Sequence, residues 1–339
     1  MKAFVQVRKG SAEKAFELQD VSLPVVTDNA ILIQTEAFGL NFADGLAIKG
    51  QYQDAPKLPA ILGYDVCGRV VAVGKNVSLH HVGDRVTAMT RFGGYAQFAV
   101  TDERAAVKIK EETGVCAALA MATQASTAWY CAEEASRIYE GDKVLITAAA
   151  GGVGSLILQL AKRRKAKIFA IVSTEAKAEL VLSMGAHTVL NRSKGDIFEQ
   201  YKAIEGKGTI DIMYDSAGGS YIRKGISNLA PGGRMVGIGA AQMSSAGNIF
   251  GLISFALSFG FYHPVPFLMN SRTLSGVNML RLADYKPHLV QHCMQQAMQL
   301  FDKGELVPLE GKIFETNQLV EAHDALAKGL VPGKIAIKW

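Results

Sequence analysis

The stretch "DKVLITAAAGGVGSLILQLAK", residues 142–162, joins an apolar run to a helical pattern through a cluster of glycines. Val144 to Ile146 predict a buried strand, and Gly151, Gly152, Val153 and Gly154 a tight turn. Ser155 to Lys162 predict a helix whose first N–H groups point at whatever occupies that turn. Such a seat suits a pyrophosphate. Glycine lets the backbone approach the anion, and Gly154 allows close packing of helix on strand. The first glycine of a G-x-G-x-x-G run is Ala149 here, so the turn alone also fits a purely steric joint. Its strand–turn–helix setting favours a nucleotide.

Outward from this stretch the chain changes rhythm. Residues 1 to about 122 read as short strands separated by turn residues: "KAFVQV", "AILIQTEAFGL", "CGRVVAVG", "DRVTAM" and "GGYAQFAV". From about 123, strands alternate with helices, as in "KIFAIVS", "AKAELVLSMG", "IDIMYDSAG" and "RMVGIGA", the pattern of a parallel sheet with crossover helices. A helix "PHLVQHCMQQAMQLFDKG", a strand "GKIFE" and a closing strand "GKIAIKW" follow. The expected organisation is α/β: a β-rich domain of residues 1–122 and 280–339, interrupted by a dinucleotide-type domain at 123–279.

Composition narrows the function. A chain of 339 residues, 49% hydrophobic, holds two ordinary cores. The net charge of +5 is dispersed, and "KRRK" at 162–165 reads as the solvated end of a helix, so nucleic-acid binding is not expected. Cys67, Cys116, Cys131 and Cys293 form no C-x-x-C pair, which fits a reducing cytoplasm rather than a disulfide framework. "MKAFVQVRKG" alternates like a strand and does not resemble a secretory signal.

The second strand of the nucleotide domain tests which dinucleotide is bound. An acidic residue at its end would hold the ribose 2′-hydroxyl of NAD. Instead "KIFAIVSTEAK" ends in Ser173 and Thr174 with Lys177 beyond, a setting that welcomes the extra phosphate of NADP. Glu175 in the same turn opposes this unless it points to solvent.

"LPAILGYDVCGRVVAVGKNVSLHHVGDRV", "AAAGGVGSLILQLAK", "IDIMYDSAGG", "LAPGGRMVGIG" and "GKIAIKW" together resemble the zinc-free quinone oxidoreductase branch of the medium-chain dehydrogenase/reductase family, over nearly the whole chain. The C-terminal half, from "VGIGAAQM" to "EAHDAL", is similar to the synaptic vesicle membrane protein VAT-1 homologues. The resemblance implies a GroES-like substrate domain and a Rossmann NADP-binding domain. In "GLNFADGLAIKGQY" it makes Asn41 a residue near the nicotinamide, Asp44 the adjoining aspartate and Tyr52 a tyrosine on the substrate side. It sets Thr127 facing the cofactor, Ser173 and Lys177 on the 2′-phosphate, Gly239 in "VGIG" at the cofactor and Lys334 near the active cleft. Arg192 stands where the family has a tyrosine and would add a charged contact to that phosphate. The family also implies a homodimer through "TLSGVNML".

Where zinc-dependent relatives carry a His-Glu pair, this chain has Tyr64 and Asp65, and Asn41 replaces a cysteine, so no metal is expected. His288 and His292 share a helical face, but Leu289 replaces the glutamate of H-E-x-x-H. Without a Lewis acid for an alkoxide, reduction of a conjugated quinone or enone by NADPH is the expected chemistry, with Tyr52 or a water hydrogen-bonding the acceptor oxygen in a dry cleft. One segment stands outside this scheme. "IFGLISFALSFGFYHPVPFLM" is strongly apolar, yet His263, Pro264 and Pro266 cut it short of the ~20 residues a membrane span needs. A buried helix or cleft lid is the first expectation. The alternative is a mouth for a lipid-like substrate or a contact with a bilayer surface, in a nucleotide-binding protein with little catalysis.

Overall fold

The eleven residues AILIQTEAFGL are almost all buried, so they form the middle of a sheet rather than one of its edges. The computed structural model describes residues 1–241 and 249–339. One unit holds Met1–Ser126 with Met279–Trp339, the other Thr127–Asn278.

In the first unit the strands are β1 Lys2–Gln6, β2 Phe16–Asp20, β3 Ala30–Leu40, β4 Ala60–Ile61, β5 Asp65–Val73, β6 Arg85–Met89, β7 Phe98–Asp102 and β8 Ala106–Lys108. The second unit contributes β9 Lys143–Ile146, β10 Lys167–Val172, β11 Thr188–Asn191, β12 Ile210–Asp215, β13 Leu229–Gly237 and β14 Thr273–Gly276, before β15 Lys312–Glu315 and β16 Ile335–Lys338 return to the first. β3 is flanked by β5 and β16 and takes β7 along its first half, in a sheet ordered β15-β16-β3-β5-β6-β8. Phe38, Leu40, Leu62, Tyr95, Phe314 and Ile337 fill the core beside it. "GGYAQFAV" is extended only from Phe98, because Gly93 and Tyr95 donate their N–H groups to Ile61 and Leu62 carbonyls and bend the chain back.

The second unit is a parallel sheet ordered β11-β10-β9-β12-β13-β14, so its first strand lies centrally and the order reverses between β9 and β12. Open α/β sheets bind ligands at the carboxyl ends of the strands at this reversal. The glycine turn follows β9 at that point.

The apolar stretch departs from expectation. It makes two short helices, Ile249–Ser258 and Val265–Asn270, and residues 242–248, just before it, lie outside the described residues. Phe259 and Phe267 pack on the unit's core, whereas Phe250, Phe261 and Leu268 are 76%, 92% and 77% exposed. A buried helix is therefore not what forms, since these side chains stay in solvent. Among the described residues no helix is long and apolar enough to cross a membrane.

Candidate active site

The candidate dinucleotide seat lies in the second unit. Gly151 caps the helix Gly152–Arg163, whose first N–H groups have no intrahelical acceptor. A Cβ on Gly154 would lie 2.4 Å from the Ala148 carbonyl oxygen and 3.0 Å from Ala149 Cα, so only glycine allows this closeness. Ala148 itself is left-handed, with φ of 48°. Its neighbour braces it. Thr147 Oγ1 donates to Asp215 at 2.9 Å and accepts the Ser216 N–H at 2.8 Å, while the Asp215 carboxylate accepts the N–H groups of Ala217 and Gly218. The turn after β9 and the loop after β12 are thereby tied together. Burial pushes the Asp215 carboxyl up to about 6 against the pull of these donors.

At the end of β10, Ser173 is half-buried, and Thr174 Oγ1 accepts the Lys177 N–H as the helix Glu175–Met184 begins. Glu175 is held by Lys194 at 2.8 Å and by the Asn191 amide at 3.4 Å. Neither Lys177 nor Arg192 is paired with a carboxylate among the described residues, so the open charge at this strand end is positive. Thr127 is half-buried on the helix Ser126–Trp129, and Gly239 is exposed in the loop after β13, beside Ser216.

The first unit holds a separate cluster of candidate residues. Asn41 precedes the helix Phe42–Ile48, and Asp44 Oδ2 accepts the Asn41 N–H at 2.7 Å, a reciprocal cap that sets the entry of the helix. Lys334, just before β16, is fully buried. Its ammonium donates to Asn41 Oδ1 at 2.7 Å and to Asp65 Oδ2 at 2.5 Å. The Thr123 hydroxyl also donates to Asp65, and Asn41 Nδ2 reaches the same oxygen at 3.3 Å. Gly39 makes room for this pair, since a Cβ there would lie 2.1 Å from Asp65 Oδ1 and 2.3 Å from Lys334 Cε. Asn41 is thus bonded to both Asp44 and Lys334, whereas Asp65, Thr123 and Gly39 were not anticipated. The signal for Asp65 was the "GYD" triplet, read only as a lost histidine although it keeps a carboxylate.

Tyr52 is half-buried, its ring edge-on to Tyr64 with centroids 6.1 Å apart. Burial raises both phenols above their ordinary range. Behind Asp44, the Tyr95 hydroxyl meets His323 Nε2 at 3.4 Å, and Phe16 stacks on the imidazole. Burial pushes His323 down to about 4 from 6.5. A depressed pKa makes the neutral ring's stabilisation complete above pH 6.5 and lost as pH falls toward 4, ~3 kcal/mol over that window. His323→Phe is expected to remove that acid sensitivity. Urea unfolding at pH 6.5 and 4.5 checks it, and an unchanged difference between the two would refute the assignment.

Residues 27–111 match the family model of the alcohol dehydrogenase GroES-like domain, and residues 152–303 that of the zinc-binding dehydrogenases. The chain belongs to the medium-chain dehydrogenase/reductase family. It falls on the quinone oxidoreductase branch. It is 28% identical to the quinone oxidoreductase of Homo sapiens over 311 residues, covering 91% of this chain and 89% of that one. The quinone oxidoreductase of Escherichia coli, solved as a complex with NADPH, shares the fold with a TM-score of 0.85 at 23% identity over 100% of both chains. The human synaptic vesicle membrane protein VAT-1 homolog-like protein does so with a TM-score of 0.84 at 22% identity, over 100% of this chain and 98% of that one. Within this medium-chain dehydrogenase/reductase, the described residues gather no three His, Cys, Asp or Glu side chains that could hold a metal. The oxygens of Asn41, Asp65 and Thr123 surround a lysine ammonium instead.

Proposed function

We propose that this chain is an NADPH-dependent, zinc-independent reductase of hydrophobic quinones or conjugated enones. The observation that carries this reading is the Lys334 ammonium held by Asn41 and Asp65. The chain itself supplies a fixed positive charge beside Asn41, and a metal cation would have to displace it. The glycine turn and the first N–H groups of Gly152–Arg163 fit a pyrophosphate. Ser173, Lys177 and Arg192 fit a 2′-phosphate, with Glu175 neutralised by Lys194. When bound, the dinucleotide supplies the hydride. The protein's part is to hold the nicotinamide end, Asn41 being held in one orientation by Lys334, and to offer the Tyr52 hydroxyl to the acceptor oxygen. Four scattered cysteines with no C-x-x-C pair suit a reducing cytoplasm, and β14, an edge strand among the described residues, suits a homodimer.

Stopped-flow loss of NADPH absorbance with quinones and 2-alkenals tests the activity, and no turnover with either class would sink it. Coenzyme choice gives a sharper check. Lys177→Ala and Arg192→Ala are each expected to weaken NADPH binding roughly tenfold, the worth of about one charge-assisted hydrogen bond, and to leave NADH binding unchanged. Parallel losses for both coenzymes would remove the 2′-phosphate from this strand end.

A second reading rests on the exposed Phe250, Phe261, Leu268 and Met269. In it the apolar helices touch a bilayer surface, and the nucleotide site serves lipid interaction with little hydride transfer. Liposome flotation without NADPH oxidation would favour it.

A further inference from the structure

The side-chain amide of Asn41 lies across the buried ion pair. Its Oδ1 is 2.7 Å from the Lys334 ammonium and 3.3 Å from the Thr123 hydroxyl, while its Nδ2 is 3.3 Å from Asp65 Oδ2. Turned the other way, the amide would set its N–H groups against an ammonium and its oxygen against a carboxylate, so charge alone fixes its polarity. One Nδ2 hydrogen is taken by Asp65. The other has no protein acceptor among the described residues, and Asn41 is half-buried rather than enclosed.

Three features say that this arrangement serves more than stability. A buried ion pair is often no more stabilising than apolar side chains of the same volume, yet the Lys334 and Asp65 side chains are both fully buried here. Asp65 Oδ1 is buried without a partner, so the carboxylate makes all its bonds through Oδ2, to the groups that surround the Asn41 amide. Thr123 belongs to a π-helical turn, Met121–Ala125, a rare widening of a helix that recurs at functional sites.

We propose that Asp65 is a positioning residue: with Lys334 it turns the Asn41 amide so that one N–H faces the substrate, and this N–H donates to the carbonyl oxygen of the acceptor. The proposal rests on the reductase reading and adds a second donor to the Tyr52 hydroxyl, which follows the helix that Asn41 caps. As hydride adds to the conjugated system, negative charge grows on that oxygen, and a donor already aimed at it stabilises the charge without reorganisation. Asn41 keeps its proton throughout. A fixed donor selects acceptors that present a bare carbonyl oxygen, as quinones and enones do.

The test uses the full chain with isotopically labelled asparagine, saturated with NADP+, and naphthoquinone or cyclohexenone, whichever the wild type reduces with NADPH. Asn41→Asp identifies the NMR signals of the Asn41 amide by their loss, and Asn41→Ala serves if Asn41→Asp does not fold. One amide proton, held on Asp65, is expected to exchange slowly with water and to ignore the acceptor, and the other to shift when the acceptor is added. In Asp65→Asn the two are expected to exchange alike; should that variant not fold, the slow proton of the wild type carries the point. Asn41→Asp is expected to lower kcat about a hundredfold, the usual effect of losing one oxyanion donor, with KM within about twofold of wild type. A wild type that turns over while neither proton responds to the acceptor, or an Asn41 variant with unchanged kcat, overturns the donor role and leaves the reductase reading standing. Two protons that exchange equally fast in the wild type overturn the part given to Asp65. A wild type that oxidises no NADPH with any acceptor overturns the reductase reading, and this inference with it.

Discussion

Lys334→Met is expected to lower the unfolding free energy by about 3–5 kcal/mol, because it strands a charged Asp65 in the interior. Both side chains of the pair are fully buried, and among the described residues the Thr123 hydroxyl and the Asn41 amide would remain to solvate the carboxylate. Asp65→Leu should cost a similar amount for the converse reason. The double variant, apolar at both positions, is expected to recover most of the loss, since replacing a whole buried pair is often near neutral. Urea unfolding of the four proteins gives the coupling energy. Strictly additive losses would show that the two charges do not act as a pair. The recovered double variant should still be slow in hydride transfer, because the Asn41 amide oxygen loses the ammonium at 2.7 Å and keeps the weaker Thr123 hydroxyl contact at 3.3 Å.

Gly154→Ala is expected to weaken NADPH binding roughly tenfold to a hundredfold, the equivalent of the ~1–3 kcal/mol that overpacking costs. The atoms a new Cβ would meet are the carbonyl of Ala148 and the Cα of Ala149, all backbone, so no side chain can swing aside. Ala148 already holds a left-handed angle and has little freedom to yield. Gly151→Ala is the milder control, with a nearest approach of 3.1 Å. Fluorescence titration with NADPH ranks the three proteins. Equal affinity in all of them would mean that the turn does not seat the coenzyme.

What was legible in the sequence was what local chemistry decides. The run at Ala30–Leu40, the strand before the glycine turn and the alternation of strands with helices from residue 123 announce themselves by hydrophobic pattern and turn residues within a dozen positions. The charge cluster beside Asn41 was only half legible. Lys334 and Asp65 lie 269 residues apart in the chain, and nothing in the neighbourhood of "GYD" signals an ammonium arriving from so far away. Glu175 was ambiguous for the same reason, since its sign in the phosphate seat depends on Lys194, nineteen positions on in the next βα unit. The apolar stretch misled because hydrophobicity reports a wish to leave water, not the partner that grants it. Its exposed Phe250 and Phe261 show that this unit has no place for them.

β16 lies between β15 and β3, inside the seven-stranded sheet, and its residues are the last that a ribosome adds to that sheet. Until they emerge, the first unit lacks an interior strand and Asp65 lacks its counter-charge. A nascent chain must therefore carry an open, apolar half-domain while the whole of the second unit is being made. Its second unit, contiguous in sequence, can close long before the unit that began first.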